Sequence, residues 1–463
     1  MVEPQLYPVA REVRDVYRRS YRIGESDRDL LGRSRRWILA AAWLAMFAVS
    51  AGQYGFGVIL PALGVGHGWP VAHAVWLLPS WVACQALAVA VSRTGPDRVA
   101  TAGMARRVVR TPTVSVLLGA VLAAGGLVAL AYSRSFWQLA LGYGVASGVG
   151  SGLVYGSCLR AVARWYPERA TVLSAVTGAF GYGAIPVLVG IGVFAAPPDV
   201  VVLLDVTAVV VLVLVGLAAV VLRNPPPDWW PTALDPQVWA VDKSVNRGLR
   251  DNWPAIRRYT PSELLRCPAA WLMYAVVICV SAGCLFDIGY LAVFADRSGW
   301  GWPFAILVAV LFAAGSGMVR GPAGLACDRF GRRRVLFGAV AIGALGQLLL
   351  LVAARYGLPG AFVAGACLAG LGLGTGYALL PRVVAGFFGD KAALSNFGVL
   401  YSAKGIGGVL GVGVVAIADG SRAYLVGFVV AAALAVLCTA LLPLLRQPGR
   451  TVLGGPVAGV VRS

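Results

Sequence analysis

Arg320 and Lys404 each lie inside a long apolar stretch of a 463-residue chain. A cation at membrane depth costs roughly 2.5 to 3.5 kcal/mol on insertion scales, so two of them demand a reason. Arg320 comes eight residues before Asp328. At a helical rise of about 1.5 Å per residue it sits about 12 Å from the end of its stretch, too deep for easy snorkelling. Lys404 is twelfth in the stretch 393–418, near its middle. A guanidinium offers a carboxylate a rigid fork and an ammonium offers a mobile point charge, so the pair suits a small organic anion. The plainer alternative for each is a buried cation satisfied by carbonyls or by an acid. Asp287 is the only acid well inside such a stretch, Asp205 lying near an end. It reads either as a proton site, since intramembrane carboxylates serve as relays, or as a fixed counter-ion. Two cations balance a dianion; with Asp287 ionised beside them, one net charge is left for a monocarboxylate.

The elements that hold these residues follow from composition. Hydrophobic residues make up 59% of the chain and charged residues 13%, against about 25% charged in soluble proteins. This excludes a cytosolic enzyme, a disordered basic tail protein and an ordinary DNA binder, despite a net charge of +19. Twelve apolar runs reach the roughly 20 residues a spanning helix needs: 37–63, 71–92, 112–133, 135–159, 170–195, 200–222, 269–295, 302–325, 335–354, 360–388, 393–418 and 421–445. The segments between them place thirty-three cations on one side and four (Arg134, Arg297, Arg355, Arg422) on the other. Short loops rich in Lys and Arg stay cytoplasmic, so both termini are predicted cytoplasmic in a multi-pass plasma-membrane protein. The first 36 residues carry charge throughout, lack a signal-peptide pattern, and are expected to be partly helical on the membrane surface. The eight cysteines show neither metal-ligand spacing nor an exoplasmic pair, so no disulfide, metal or other cofactor is expected. The two histidines, His67 and His73, form no His-Glu-x-x-His motif, and no nucleophile elbow is present; an enzyme is not expected.

The polar segment 223–268 divides the chain. Its Pro225-Pro226-Pro227 and Trp229-Trp230 read as a linker along the membrane surface with the tryptophans at headgroup depth. The expected divisions are a tail (1–36), a six-helix bundle (37–222), the linker, a second bundle (269–446) and a C-terminal tail (447–463). A shift of 222 positions superposes Gly148, Gly150 and Gly152 on Gly370, Gly372 and Gly374, and Arg160 on Arg382. It also lays Trp165-Tyr166-Pro167-Glu168-Arg169 on Phe387-Phe388-Gly389-Asp390-Lys391, which argues duplication of a six-span unit. Glycine ladders let helix backbones approach closely, suiting helices that slide, and parallel six-span repeats are a transporter architecture with a midplane site at their interface.

The loop Gly324-Leu325-Ala326-Cys327-Asp328-Arg329-Phe330-Gly331-Arg332-Arg333 resembles the signature loop of the major facilitator superfamily. The resemblance implies an all-α membrane fold of twelve helices in two bundles related by a pseudo-twofold, and a gating role for Asp328, Arg329, Gly331 and Arg332. The first-half counterpart keeps Asp97-Arg98, but Arg106-Arg107 comes too late. Tyr401-Ser402-Ala403-Lys404-Gly405, Arg320 before the loop aspartate, the 165–169 segment and Tyr259-Thr260-Pro261-Ser262-Glu263 are together similar to the oxalate/formate antiporter family, over 37–445. That resemblance implies transport of a small mono- or dicarboxylate held by Arg320 and Lys404. Tyr401, three residues before Lys404 and so on the same helical face, matches an aromatic of the family's binding cage. Tyr54, Gln53, Tyr155, Tyr182 and Tyr377 are weaker matches, and Tyr182 falls on Lys404 under the 222 shift. A monomer is expected, with no nucleic-acid partner. The alternatives are a proton-coupled monocarboxylate symporter using Asp287 and, fitting two buried cations poorly, an efflux carrier for drugs or metabolites.

Overall fold

The computed structural model describes residues 10–67, 74–91, 112–194, 197–390, 392–417 and 422–449. Ten helices in it are long and apolar enough to cross a membrane. Leu77–Val91 and the continuous helical run from Phe136 to Trp165 bring the spans to twelve. Span four carries a π-helical stretch, Ala140–Ser147, within that run and ends at Trp165, six residues past the sequence expectation.

Four of the described spans are interrupted. Span one is built from Arg36–Ala48, Ala51–Tyr54 and Phe56–His67. Span five divides into Ala170–Tyr182 and Ile185–Val193, span eight into Trp302–Met318 and Arg320–Phe330, and span eleven into Ala393–Tyr401 and Ala403–Ile417. The residues at the last two breaks, Val319 and Ser402, both have ψ of −24°, a 3₁₀-like turn. Spans three (Thr113–Tyr132), six (Pro197–Val221), nine (Arg332–Tyr356) and twelve (Ala423–Leu441) are unbroken. On span six Val202, Val206, Val209, Val213, Leu217 and Val220 are exposed, a helical stripe suited to lipid contact.

The two glycine ladders pack inside each bundle, not between them as sliding surfaces. A Cβ on Gly148 or Gly152 would lie 2.4 Å from the Trp81 or Gln85 carbonyl of span two, and one on Gly150 would lie 2.6 Å from Ala123 N of span three. In the second half, Gly370 and Gly374 bear in the same way on Phe312 and Ser316 of span eight, and Gly372 on Gly343 of span nine. The repeat therefore preserves its packing partners. Between the halves, span five meets span eight, span eleven meets span two, and span one meets span seven.

At one end of the bundles, the tail face, the N-terminal segment forms an antiparallel hairpin, Arg11–Arg14 with Ser20–Ile23, followed by a short capped helix, Asp27–Leu31. The tail, expected to be partly helical, is helical over Asp27–Leu31 and a hairpin before that. The hairpin pairs with the linker: Trp230 N donates to Arg22 O at 2.9 Å and Arg22 N to Asp228 O at 2.7 Å. This buries Trp229 and Trp230 against protein. Trp229 Nε1 donates to Glu25 O and its ring meets Trp165 edge-on at 4.8 Å. Trp230 lies against Tyr21 and Trp239. A strand pairing across more than 200 residues leaves no periodicity signal to announce this contact.

Candidate functional site

The breaks in spans one, eight and eleven put three groups of polar side chains at one level between the halves. Arg320, 2% exposed, opens the second segment of span eight, and Lys404, equally buried, is second in the upper segment of span eleven. Both reach into the first half. Arg320 Nη1 donates to Thr177 O of span five at 2.8 Å, and Nη2 to the Tyr54 hydroxyl of span one at 2.9 Å. Its Nε and Nη2 also donate to Ser316 O and Oγ, each at 3.0 Å. Lys404 Nζ donates to Gln53 Oε1 at 2.8 Å, Gln85 Oε1 at 2.6 Å and the Tyr401 hydroxyl at 3.2 Å. Hydrogen bonds to a charged group contribute roughly 1.5 to 3 kcal/mol each, enough to offset the burial of either cation.

Tyrosines join the two cations. Tyr155 stacks on Tyr401 with centroids 5.6 Å apart, across the interface, and Tyr377 meets Tyr401 edge-on. The Tyr377 ring lies 6.0 Å from the Arg320 guanidinium and 5.4 Å from Lys404 Nζ, close enough for cation–π attraction to both. Its hydroxyl is buried, near Ser281, with no hydrogen-bond partner of good geometry among the described residues. Of the residues expected from sequence, Arg320, Lys404, Tyr401, Tyr377, Tyr54, Gln53 and Tyr155 thus come together. Tyr182 stands apart from Lys404: its ring packs on Gly317, one turn before Arg320. Gln85 was missed. It is fully buried, accepts from Lys404, and its Nε2 donates to Ser151 Oγ at 3.3 Å. A neutral amide carries no charge signal, though it is the only glutamine in the apolar run 71–92.

Asp287 faces elsewhere. Its Oδ2 accepts from Gln347 Nε2 of span nine, inside the second bundle, while Oδ1 and Gln347 Oε1 have no partner among the described residues. Among the described residues no acid lies within salt-bridge distance of Arg320 or Lys404. The counter-ion reading of Asp287 is therefore corrected: the geometry leaves both cations unneutralised by carboxylates, and the buried acid finds an amide.

Toward the tail face, the interface closes over the cations. Ser174 Oγ donates to Ala378 O at 3.2 Å. Asp328 accepts from Thr171 Oγ1 of the first half at 2.7 Å and from Arg382 of span ten. Gly331 turns the loop with φ of +84°, a conformation glycine adopts without strain. Arg332 N then donates to Asn252 Oδ1 at 2.8 Å and Nη2 to Trp253 O at 2.6 Å, so the linker is fastened to this loop. Arg329 is exposed and lies over Phe330. The repeated acids behave alike: Glu168 pairs with Arg35 at 2.8 Å and Asp390 with Arg258 at 3.9 Å, each arginine preceding the first span of its half. The first-half loop residues Asp97, Arg98, Arg106 and Arg107, and His73, lie outside the described residues.

Two six-helix bundles with polar groups meeting at their interface are an architecture found in secondary transporters. Residues 303–458 match the Major Facilitator Superfamily model. The fold is shared with the xylose transporter from E. coli, solved in a partially occluded inward-open conformation, at a TM-score of 0.65 and 12% identity, covering 90% of this chain and 99% of that one. A D-xylose–proton symporter gives the same TM-score and coverage at 13% identity. The family match over that part of the chain and the fold shared over nearly all of it make the chain similar to major facilitator superfamily transporters. Among curated proteins it is 25% identical over 309 residues to the oxalate:formate antiporter of Oxalobacter formigenes, 65% of this chain and 68% of that protein. It is also 25% identical over 419 residues to the "uncharacterized 38 kDa protein in 23S RNA operon" of Thermoproteus tenax, 87% of this chain and 94% of that protein.

Proposed function

We propose that the transporter carries a small carboxylate by alternating access, held between Arg320 and Lys404. The observation that carries this reading is that each cation reaches into the opposite half and bonds only neutral acceptors there. An anionic acceptor forms roughly twice as strong a hydrogen bond as a neutral one, so a carboxylate displaces the Gln53 and Gln85 oxygens from Lys404 and the Tyr54 hydroxyl from Arg320. The bonds that tie the halves then run through the substrate. Two cations with no acid in contact favour a dianion, and the likeness to a protein named oxalate:formate antiporter supports a carboxylate. The surplus of thirty-three cations over four supports a cytoplasmic tail face, in a plasma-membrane carrier. Counterflow of labelled oxalate in proteoliposomes tests the reading. Arg320→Ala and Lys404→Ala each abolish it with normal insertion; transport retained at unchanged affinity removes both residues from the site.

A second reading, proton-linked symport, is favoured by one observation: the unpartnered Oδ1 of the buried Asp287. Uptake driven by an imposed pH gradient in Asp287→Asn discriminates. Symport through Asp287 requires the gradient response to vanish, and its persistence rejects the role.

A further inference from the structure

On the tail-face side of the closed layer lies a second chamber of about 1820 Å³. Its floor contains Ala170, Leu325, Asp328 and Arg382, in the layer that shuts the path to Arg320. Its roof is the hairpin turn Val16–Arg19 and the linker from Trp239 to Arg258. Eight arginines line it against three acids. The acids are already engaged: Glu168 by Arg35, Asp328 by Arg382, and Asp390 by Arg19 at 3.5 Å and by Arg258. Arg18, Arg247, Arg250 and Arg329 have no acid within salt-bridge distance among the described residues.

Topology alone accounts for cations being on this face. It does not account for their lining one roofed chamber that opens onto the gate, with the tail folded back over it and fastened to the linker. A cleft lined by one sign of charge focuses the field and raises the local concentration of counter-ions. We propose that this chamber is an antechamber: a second, weaker binding site for the same class of small carboxylate, which loads the central site from the tail face. Its guanidinium groups stand around a volume much larger than one such anion, so ions are held by field and exchange quickly. This inference rests on the carboxylate reading of the central site.

The test compares wild type with Arg247→Gln/Arg250→Gln in uniformly oriented proteoliposomes, with KM and kcat measured from each face. The variant raises KM from the tail face about fivefold at low salt, with kcat and the opposite-face KM unchanged, and the difference disappears near 0.5 M salt as screening shortens the field. Arg247→Lys/Arg250→Lys restores the wild-type KM, since charge is what the chamber supplies. An unchanged KM, or an equal rise on both faces, overturns the proposal. Labelled-oxalate binding to Arg320→Ala/Lys404→Ala separates the two readings. A weak, salt-sensitive component that is lost on adding Arg247→Gln/Arg250→Gln supports the antechamber even where transport of oxalate is absent. No residual binding overturns it, leaving the central site to stand or fall on its own counterflow result.

Discussion

Arg320 and Lys404 are satisfied in different ways. Three of the four bonds of Arg320 go to groups on its own helix or to a main-chain carbonyl, with Ser316 O and Thr177 O fixed by the helices they belong to. Every partner of Lys404 is a side-chain oxygen, and two of the three are terminal amides. The guanidinium is thus an anchored donor with a limited free edge, and the ammonium a donor whose partners can swing away. In the carboxylate carrier proposed above, this pairing gives one cation to fix where the anion sits and another to let it go.

The comparison breaks most sharply under exchange of the two cation types. Arg320→Lys removes the fork that reaches Ser316, Thr177 and Tyr54 together, and counterflow falls by about 100-fold, the equivalent of roughly 2.7 kcal/mol or two charge-assisted bonds. Lys404→Arg keeps charge in a pocket of side chains that can adjust, and the loss is nearer tenfold by the same arithmetic. Equal losses in the two variants refute the distinction between anchored and mobile. Next in size is Gln85→Leu, which leaves Lys404 short of an acceptor. The variant melts at lower temperature alone, and oxalate raises its melting temperature by more than it raises that of wild type, because ligand now supplies a missing partner. Tyr54→Phe removes the acceptor that the anion displaces from Arg320, and KM falls about threefold to tenfold for a single hydrogen bond. The smallest effect is expected from Asp287→Asn. Asp287 bonds Gln347 and touches neither cation, so substrate KM at fixed pH stays within about twofold; a tenfold shift couples the acid to the site after all.

Much of this was legible in the sequence because charge in an apolar run is conspicuous. Arg320, Lys404 and Asp287 stand out singly, and helical spacing added Tyr401 to Lys404. The 222-residue repeat also transferred well, from the glycine ladders to the Glu168 and Asp390 pairs. What spacing could not give was who faces whom. Asp287 was near enough in sequence logic to balance a cation, yet its side chain turns into its own bundle toward span nine. Tyr182 falls on Lys404 by repeat arithmetic, yet packs on Gly317 because span five meets span eight while span eleven meets span two. Gln85 and the Thr177 carbonyl are neutral, and a main-chain group has no side-chain letter to read. The helix breaks at Val319 and Ser402 have no proline to announce them.

The glycine ladders set a tolerance map for the whole molecule. At Gly372 an added methyl would sit 2.1 Å from a backbone nitrogen, and at Gly148 2.4 Å from a carbonyl, obstacles that no rotamer change relieves. Each six-span unit is consequently stiff along its inner seams, and stiffness there concentrates compliance at the one boundary wetted by tyrosine, glutamine and two cations. Under the proposed alternating access the halves serve as lever arms around that boundary, so substitutions fall in two classes: alanine in a ladder shows up first as lost folding, whereas alanine at the boundary shows up first as lost transport.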